Sequence, residues 1–248
     1  LTLANLAMVP FVTWLGHQLS WRYAFGVVSV LGLLTLISLK FLLPYMESLR
    51  TTTLKDELEF FNSAKAWHII AITGIGFGGL FAWFSYITPL MTTVSRFDKD
   101  FIAYIMVLAG AGMVIGNFLG GVMADKMRPA LAAAILLTAM ILALIGVFFF
   151  SENQSMSLIL TFVCGALSMA VGTPVNIMML RSAKNSEMMA AAFMQAAFNV
   201  GNSLGAFFGG LPLEFGLSYS YPSLVGAGLA GIGLLLCLAF MKKYKPVI

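Results

Sequence analysis

Charged residues are scarce in this chain of 248 residues: Asp, Glu, Lys and Arg together make up 10% of it, whereas hydrophobic residues make up 60%. The mean hydropathy is +0.95. A soluble globule needs more polar surface than this composition can supply, so a soluble globular domain is excluded. The solvent of this protein is therefore expected to be a lipid bilayer.

Cysteine and histidine are nearly absent, with two residues of each. Cys164 and Cys237 fall inside long apolar segments, where a small buried side chain is expected rather than a disulfide or a metal ligand. His17 and His68 lie near the ends of such segments, where an interfacial polar residue is expected. The sequence therefore predicts no metal, no cofactor and no redox chemistry.

Carboxylates are missing from the middle of the apolar segments, because every Asp and Glu falls in a predicted loop or at a segment end. A membrane-embedded hydrolase or metalloenzyme needs convergent carboxylates, histidines or an activated nucleophile, so an enzyme is not predicted. A proton relay needs a titratable group within the membrane. If the protein moves protons, their carrier is expected in helices that precede Leu1.

Long apolar segments recur along the whole chain, each near the roughly 20 residues that a helix needs to cross a hydrocarbon core of about 30 Å. They are continuously apolar rather than alternating, which favours helices over a barrel. The predicted fold class is an all-α integral membrane protein of about eight transmembrane helices. The predicted spans are residues 3–19, 23–43, 69–94, 101–124, 129–150, 158–180, 188–213 and 224–241.

Basic residues are distributed unevenly between alternate loops. One set of loops and ends holds 11 of the 14 Lys and Arg residues, and the other set holds only Arg22, Arg96 and Lys99. Basic residues near span ends are retained in the cytoplasm, so the C-terminus is predicted to be cytoplasmic. This asymmetry accounts for the net charge of +4, so a nucleic-acid partner is not predicted.

A polar stretch of mixed charge at residues 45–66 separates two predicted spans from six. It is interpreted as a cytoplasmic linker, within which residues 53–58 are compatible with either a short surface helix or a solvated connector. The chain starts inside an apolar segment without an initiator methionine, so four further helices are expected before Leu1. We therefore expect residues 1–44 to end an N-terminal bundle and residues 67–248 to form a complete six-helix C-terminal bundle.

Two predicted spans carry glycine at every fourth position, which places a smooth stripe along one helix face. Such stripes let neighbouring backbones approach closely, in static packing or in a seam along which two halves move. Both roles remain open from the sequence. The stripes comprise Gly112, Gly116 and Gly120 in one span and Gly201, Gly205 and Gly209 in the other.

Polar and aromatic groups inside the spans indicate a cavity near the middle of the membrane. Pro89 and Pro174 each remove a backbone donor and permit a kink or an interrupted helix, and such helices often line cavities. Amides within a span are expected to point inward, either to bond a neighbouring helix or to contact a ligand. The predicted cavity residues are Trp83, Tyr86, Thr173, Asn176, Gln195 and Asn199. An aromatic belt at the membrane interface is the alternative role for Trp83 and Tyr86.

Three segments resemble the major facilitator superfamily. Residues 121–128, GVMADKMR, are similar to the loop motif found between the second and third helices of each half. Residues 197–210 with 216–219 resemble the eleventh helix of the drug and sugar efflux branch, and residues 3–5 with Pro10 and 20–25 resemble the fifth helix and its exit loop. The resemblance covers the chain as helices five to twelve of a twelve-helix bundle.

The resemblance implies roles for individual residues. Gly121, Asp125, Lys126 and Arg128 would form a cytoplasmic gating loop whose charge contacts with a helix end form in one conformation and break in the other. The stripe beginning at Gly112 would face the first helix of this chain. The stripe beginning at Gly201 would face a helix that precedes Leu1.

The function that the resemblance implies is efflux of a small sugar or drug-like solute, coupled to protons, through a protein that is monomeric when complete and lies in a bacterial inner membrane. The efflux pattern places glycines around the proline of the fifth helix, whereas Met8, Val9, Phe11 and Val12 surround Pro10 here. A uniporter or an importer therefore remains an alternative. A membrane sensor or assembly subunit that does not transport is the other.

Overall fold

The computed structural model describes residues 2–43, 59–183 and 186–244. All regular structure in these ranges is helical, so the predicted all-α membrane fold class is confirmed. The helices run in chain order as α1 Thr2–Gln18, α2 Trp21–Leu42, α3 Ala64–Val94, α4 Ile102–Lys126, α5 Pro129–Phe150, α6 Gln154–Ser182, α7 Glu187–Glu214 and α8 Tyr221–Lys243.

Six of these helices, α2 to α6 and α8, are long and apolar enough to cross a membrane. Helix α1 has 17 residues in the described part of the chain. Helix α7 has 28 residues, ample for a bilayer, but its amides and glycines lower its hydropathy. The eight predicted spans thus correspond to eight helices, two of which fall outside this criterion.

Helix α3 begins at Ala64, inside the range predicted as a linker. Ser63 caps it, because its hydroxyl accepts a hydrogen bond from the amide of Ala66 at 3.2 Å. A short 3₁₀ turn, Glu59–Asn62, precedes the cap. Residues 44–58, including most of the predicted linker and the segment 53–58, lie outside the described residues.

The backbone of α3 departs from α-helical geometry in two places. A π-helical segment, Ile72–Phe77, widens the helix near its start, and a second one, Leu90–Val94, ends it. Between them the helix is interrupted at Ser85 and Tyr86, because Pro89 has no amide hydrogen to donate to the Ser85 carbonyl. The interruption predicted around Pro89 is therefore present.

The first glycine stripe lies on α4 and packs against α6. A methyl group at Gly112, Gly116 or Gly120 would collide with backbone atoms of α6, notably with the carbonyl of Ala166. The expectation that this stripe faces the first helix is wrong. Helix α1 does pack against α4, but the small residues Gly165 and Ala166 make α6 the surface that fits the stripe.

The second glycine stripe lies on α7 and packs against α3. A methyl group at Gly201 would lie 2.9 Å from the Gly74 carbonyl oxygen, well inside van der Waals contact. Gly205 and Gly209 approach Gly78 and Ala82 in the same way. The expectation that this stripe faces a helix preceding Leu1 is therefore wrong, since α3 has its own small residue at every fourth position.

Helix α6 continues through Pro174 without interruption. Because proline donates no hydrogen bond, the carbonyl of Ala170 loses its partner four residues along the helix. This carbonyl lies against Gly120 of α4, where a side chain would collide with it.

Helix α2 contrasts with the α3–α8 bundle in its exposure. In the described part of α2 one residue, Ala24, is buried, whereas Leu36, Phe41 and Leu42 are more than 60% exposed. The bundle core is built instead from fully buried side chains of α3 and α5 such as Trp83, Leu137 and Leu144. The surface of α2 is thus suited to contact lipid or further helices rather than this bundle.

We expect Gly116→Ala to destabilise the protein by about 1–3 kcal/mol, because the added methyl group must displace the backbone of α6 rather than a flexible side chain. Thermal unfolding in a neutral detergent measures the effect. Gly121→Ala is the matched control on the same helix, since nothing lies within 4 Å of the methyl group there. Equal melting temperatures of the two variants would contradict the packing of α4 on α6.

Candidate functional site

Helix α7 presents a row of polar side chains to the outside of the bundle. Gln195, Asn199 and Ser203 follow one another at intervals of four residues, and all three are exposed. The Ser203 hydroxyl donates to the Asn199 carbonyl at 3.0 Å, while the two amide side chains point away from the bundle. At 1.5 Å per residue, Gln195 and Asn199 lie roughly 12 and 18 Å from the start of α7, within the depth of a bilayer.

Helix α6 places two further polar groups at a comparable depth. Thr173 is half-buried and Asn176 is exposed, roughly 14 and 9 Å from the end of α6 that lies next to the start of α7. The Asn176 amide donates to the Gly172 carbonyl at 2.9 Å, which fixes its orientation on the helix. A methyl group at Gly172 would lie 3.9 Å from the ring of Phe198, so α6 and α7 are in contact here.

An apolar cavity of about 110 Å³ lies between α3, α4 and α6. Phe77 of its wall also packs edge-on against Phe198 at 4.7 Å between ring centroids, which connects the cavity to the α6–α7 pair. Sequence reasoning missed this cavity. The spacing of the large apolar residues could have indicated it. Phe77, Phe81 and Phe84 are three or four residues apart and share one face of α3. Met106 and Met113 likewise share one face of α4.

Tyr86 and Trp83 lie in different surroundings from these polar groups. The Tyr86 hydroxyl donates to the Ala206 carbonyl at 2.9 Å, which ties the interrupted part of α3 to α7. Trp83 is 1% exposed inside the bundle core, and its indole nitrogen is buried without a hydrogen-bond partner in the described part of the chain. Thr173 and Asn176 on α6 and Gln195 and Asn199 on α7 thus lie on two helices that are in contact, and these four residues are called the polar surface below.

The predicted gating residues lie where α4 ends and α5 begins. Asp125, Lys126 and Arg128 are all exposed, and Gly121 is half-buried with nothing packed against its Cα. Asp125 lies in the last turn of α4, where the helix dipole disfavours a negative charge. Among the described residues its carboxylate has no ion-pair partner, so it is available for a contact outside this bundle.

The chemistry open to this surface is binding rather than bond-breaking. Its polar groups are amides and one hydroxyl, which donate and accept hydrogen bonds but do not titrate. The adjacent cavity contributes phenylalanine and methionine, which suit apolar parts of a ligand. No group of three or more His, Cys, Asp or Glu side chains that would hold a metal ion occurs among the residues that the structure describes.

Comparison with known proteins decides the family. The sequence profile described as Major Facilitator Superfamily matches residues 1–192, which is most of the chain. The chain belongs to the major facilitator superfamily. The sequence resemblance is thereby confirmed, and the helices described above form part of a major facilitator bundle.

Curated relatives of this superfamily member carry transporter names. It is 36% identical over 245 residues to "Putative transporter AraJ" of Escherichia coli (strain K12), covering 99% of this chain and 62% of the relative. It is 33% identical over 248 residues to "Inner membrane transport protein YdhP" of the same organism, covering 100% of this chain and 64% of the relative. It is 27% identical over 247 residues to "Probable sugar efflux transporter" of Helicobacter pylori, covering 98% and 62%.

The chain therefore spans less than two thirds of the length of these relatives. The superfamily assignment, the membrane location and the relationship to proteins named as transporters hold for this chain. The substrate, the direction and the coupling ion belong to the complete protein.

We expect Tyr86→Phe to destabilise the protein by about 0.5–1.5 kcal/mol, because it removes the hydrogen bond to the Ala206 carbonyl between two membrane helices. Thermal unfolding in detergent measures the loss. Tyr104→Phe serves as the matched control, since Tyr104 is 68% exposed on α4. A Tyr86 variant as stable as the control would show that the hydroxyl does not tie α3 to α7.

Proposed function

We propose that the complete protein is a secondary active transporter that exports a small organic solute, a sugar or a drug-like molecule, by proton antiport. Two helical bundles would expose a shared cavity alternately to the two sides of the membrane. The α3–α8 bundle would supply one wall of that cavity, with Thr173, Asn176, Gln195 and Asn199 as its polar contacts.

The exposed amides of α7 carry this proposal. A polar side chain at bilayer depth is costly against hydrocarbon, so such residues face the protein interior or a water-filled cavity. Gln195 and Asn199 face neither within the described bundle, because both are exposed on its outside. A second bundle enclosing an aqueous path against this surface would satisfy them.

The interrupted helix α3 supports the same arrangement. Irregular backbone at membrane depth is tolerated where it is buried in protein or lines a cavity, and α3 combines a break at Ser85 and Tyr86 with two π-helical segments. The phenylalanines of α3 and the methionines of α4 would contact apolar parts of the solute. Such a wall suits an amphipathic molecule better than an ion.

The direction and the coupling ion are inferred from the names of relatives and from where the carboxylates lie. Three relatives are named "Probable sugar efflux transporter", which favours export. The described helices carry no carboxylate outside their terminal turns, so the proton carrier would lie in another part of the complete protein. The complete protein would act as a monomer in a bacterial inner membrane with its C-terminus in the cytoplasm, as the basic end of the bundle supports.

A flux measurement on the complete protein in sealed vesicles tests the function. With an imposed pH gradient, a panel of radiolabelled sugars and cationic dyes should include a solute that moves against the proton flow. Flux down the solute gradient without any effect of pH would indicate a uniporter. Solute flux in the same direction as the proton flow would indicate an importer. Absence of flux for the whole panel would favour a sensor or assembly subunit.

The double variant Gln195→Ala/Asn199→Ala should reduce this flux by about 5- to 150-fold, because a lost hydrogen bond to a bound ligand costs about 0.5–1.5 kcal/mol and two are removed. Thr138→Ala is the control, since the Thr138 hydroxyl bonds only its own helix at the Ala134 carbonyl, 2.9 Å away. The two variants must be present in the vesicle membrane in equal amounts for their fluxes to be compared. Unchanged flux in the double variant would remove these amides from the proposed cavity.

We expect Asp125→Asn to slow transport several-fold while leaving membrane insertion intact. The proposed gate contact is electrostatic, and a charge beside a helix end is worth about 0.3–1 kcal/mol, enough to bias a two-state equilibrium. Initial rates in the same vesicles measure the effect. Asp100→Asn, at the opposite end of α4, is the matched control. Identical rates for the two variants would exclude Asp125 from the gate.

A further inference from the structure

Three cations from three helix ends line one pocket at the basic end of the bundle. The pocket has a volume of about 410 Å³ and lies where α3 and α5 begin and where α6 and α8 end. Lys65 belongs to the first turn of α3, Arg128 immediately precedes α5, and Arg181 belongs to the last turn of α6. These residues are far apart in the sequence, so the fold alone brings them together.

The charges in this pocket are all of one sign. The carboxylates of Asp125 and Glu187 lie at the same end of the bundle, yet neither belongs to the pocket lining. Two helices start here and two end here, so their dipoles largely offset one another and the side chains set the potential. Three like charges around one space repel each other unless an anion lies between them.

Tyr244 lines the same pocket and closes part of it with its aromatic ring. The Tyr244 hydroxyl is buried and has no hydrogen-bond partner among the described residues. Its ring is held by aromatic contacts to Phe240 at 4.9 Å and to His68 at 6.0 Å between centroids. Because this hydroxyl is buried, the three cations are the donors that the oxygens of an anion in the pocket would reach.

Apart from Ser182 the rest of the pocket lining is apolar or aromatic, which distinguishes between a lipid and a free anion as the source of a phosphate. Met178, Phe240 and Met241 form much of the wall. A free inorganic anion gains nothing from these side chains, whereas a phospholipid places its glycerol and upper acyl carbons against them. The ends of membrane-crossing helices also lie at the depth of the lipid headgroups.

We propose that this pocket, lined by Lys65, Arg128, Arg181 and Tyr244, binds the phosphate group of an anionic phospholipid from the adjacent leaflet. Basic pockets between membrane helices bind anionic headgroups in this way. The proposal does not rest on the proposed transport, although Arg128 also belongs to the predicted gating loop, and the binding experiment below measures lipid without any solute flux.

Titration of the full-length chain with phosphatidylglycerol, followed by native mass spectrometry from a neutral detergent, tests the site. The wild type should bind phosphatidylglycerol in preference to phosphatidylcholine. The triple variant Lys65→Gln/Arg128→Gln/Arg181→Gln should bind it about a hundredfold more weakly, since each cation near the membrane surface contributes about fivefold. The charge-conserving variant Lys65→Arg/Arg128→Lys/Arg181→Lys should retain most of the affinity.

A second triple variant, Lys40→Gln/Lys242→Gln/Lys243→Gln, is the matched control. It removes the same charge from the same end of the molecule, but none of its residues lines the pocket. Equal losses in the two triple variants would overturn the site, as would equal binding of phosphatidylcholine. If excess inorganic phosphate displaced all bound phosphatidylglycerol, the pocket would be a site for a soluble anion, and the lipid proposal would be overturned. If the pocket variant fails to fold, the three single variants decide, each with an expected fivefold loss.

Discussion

Backbone contact between α3 and its two neighbours is the constraint on which the bundle depends. Gly78 meets the carbonyl of Gly201 on α7, and Gly79 meets the carbonyl of Gly226 on α8. In lipid no hydrophobic force draws helices together, so close packing and hydrogen bonds must do so. The approach of α3 to α7 also brings Tyr86 within bonding distance of Ala206 and Phe77 onto Phe198.

Much of this architecture could be predicted from the sequence, because each membrane helix is recorded locally as an apolar run. The partners of the glycine stripes could not, since the spacing of Gly112, Gly116 and Gly120 identifies a face of α4 and not the helix opposite it. A matching pattern of small residues was present on α3 at Gly74, Gly78 and Ala82. Comparing such stripes in pairs would have predicted the contact of α3 with α7.

The candidate site was predicted in part for a similar reason. Amides within an apolar span are conspicuous, so Gln195, Asn199 and Asn176 were identified, and whether they form a substrate cavity stays a prediction. Trp83 was selected for its residue type and depth, although its direction around α3 places it in the core. The basic pocket was not predicted at all, because Lys65, Arg128 and Arg181 converge only through the packing of several helices.

The mechanical behaviour of the bundle follows from where its backbones touch. Backbone meets backbone where Gly116 packs against Ala166 and where Gly78 packs against Gly201. No side chain lies between the helices at these points to absorb a displacement, so the paired helices resist sliding past each other. The helical hydrogen bonding of α3 is interrupted at Ser85 and Tyr86, where the helix resists bending less than these packed pairs resist sliding. We therefore expect α3 to bend at this break before its glycine contacts slide.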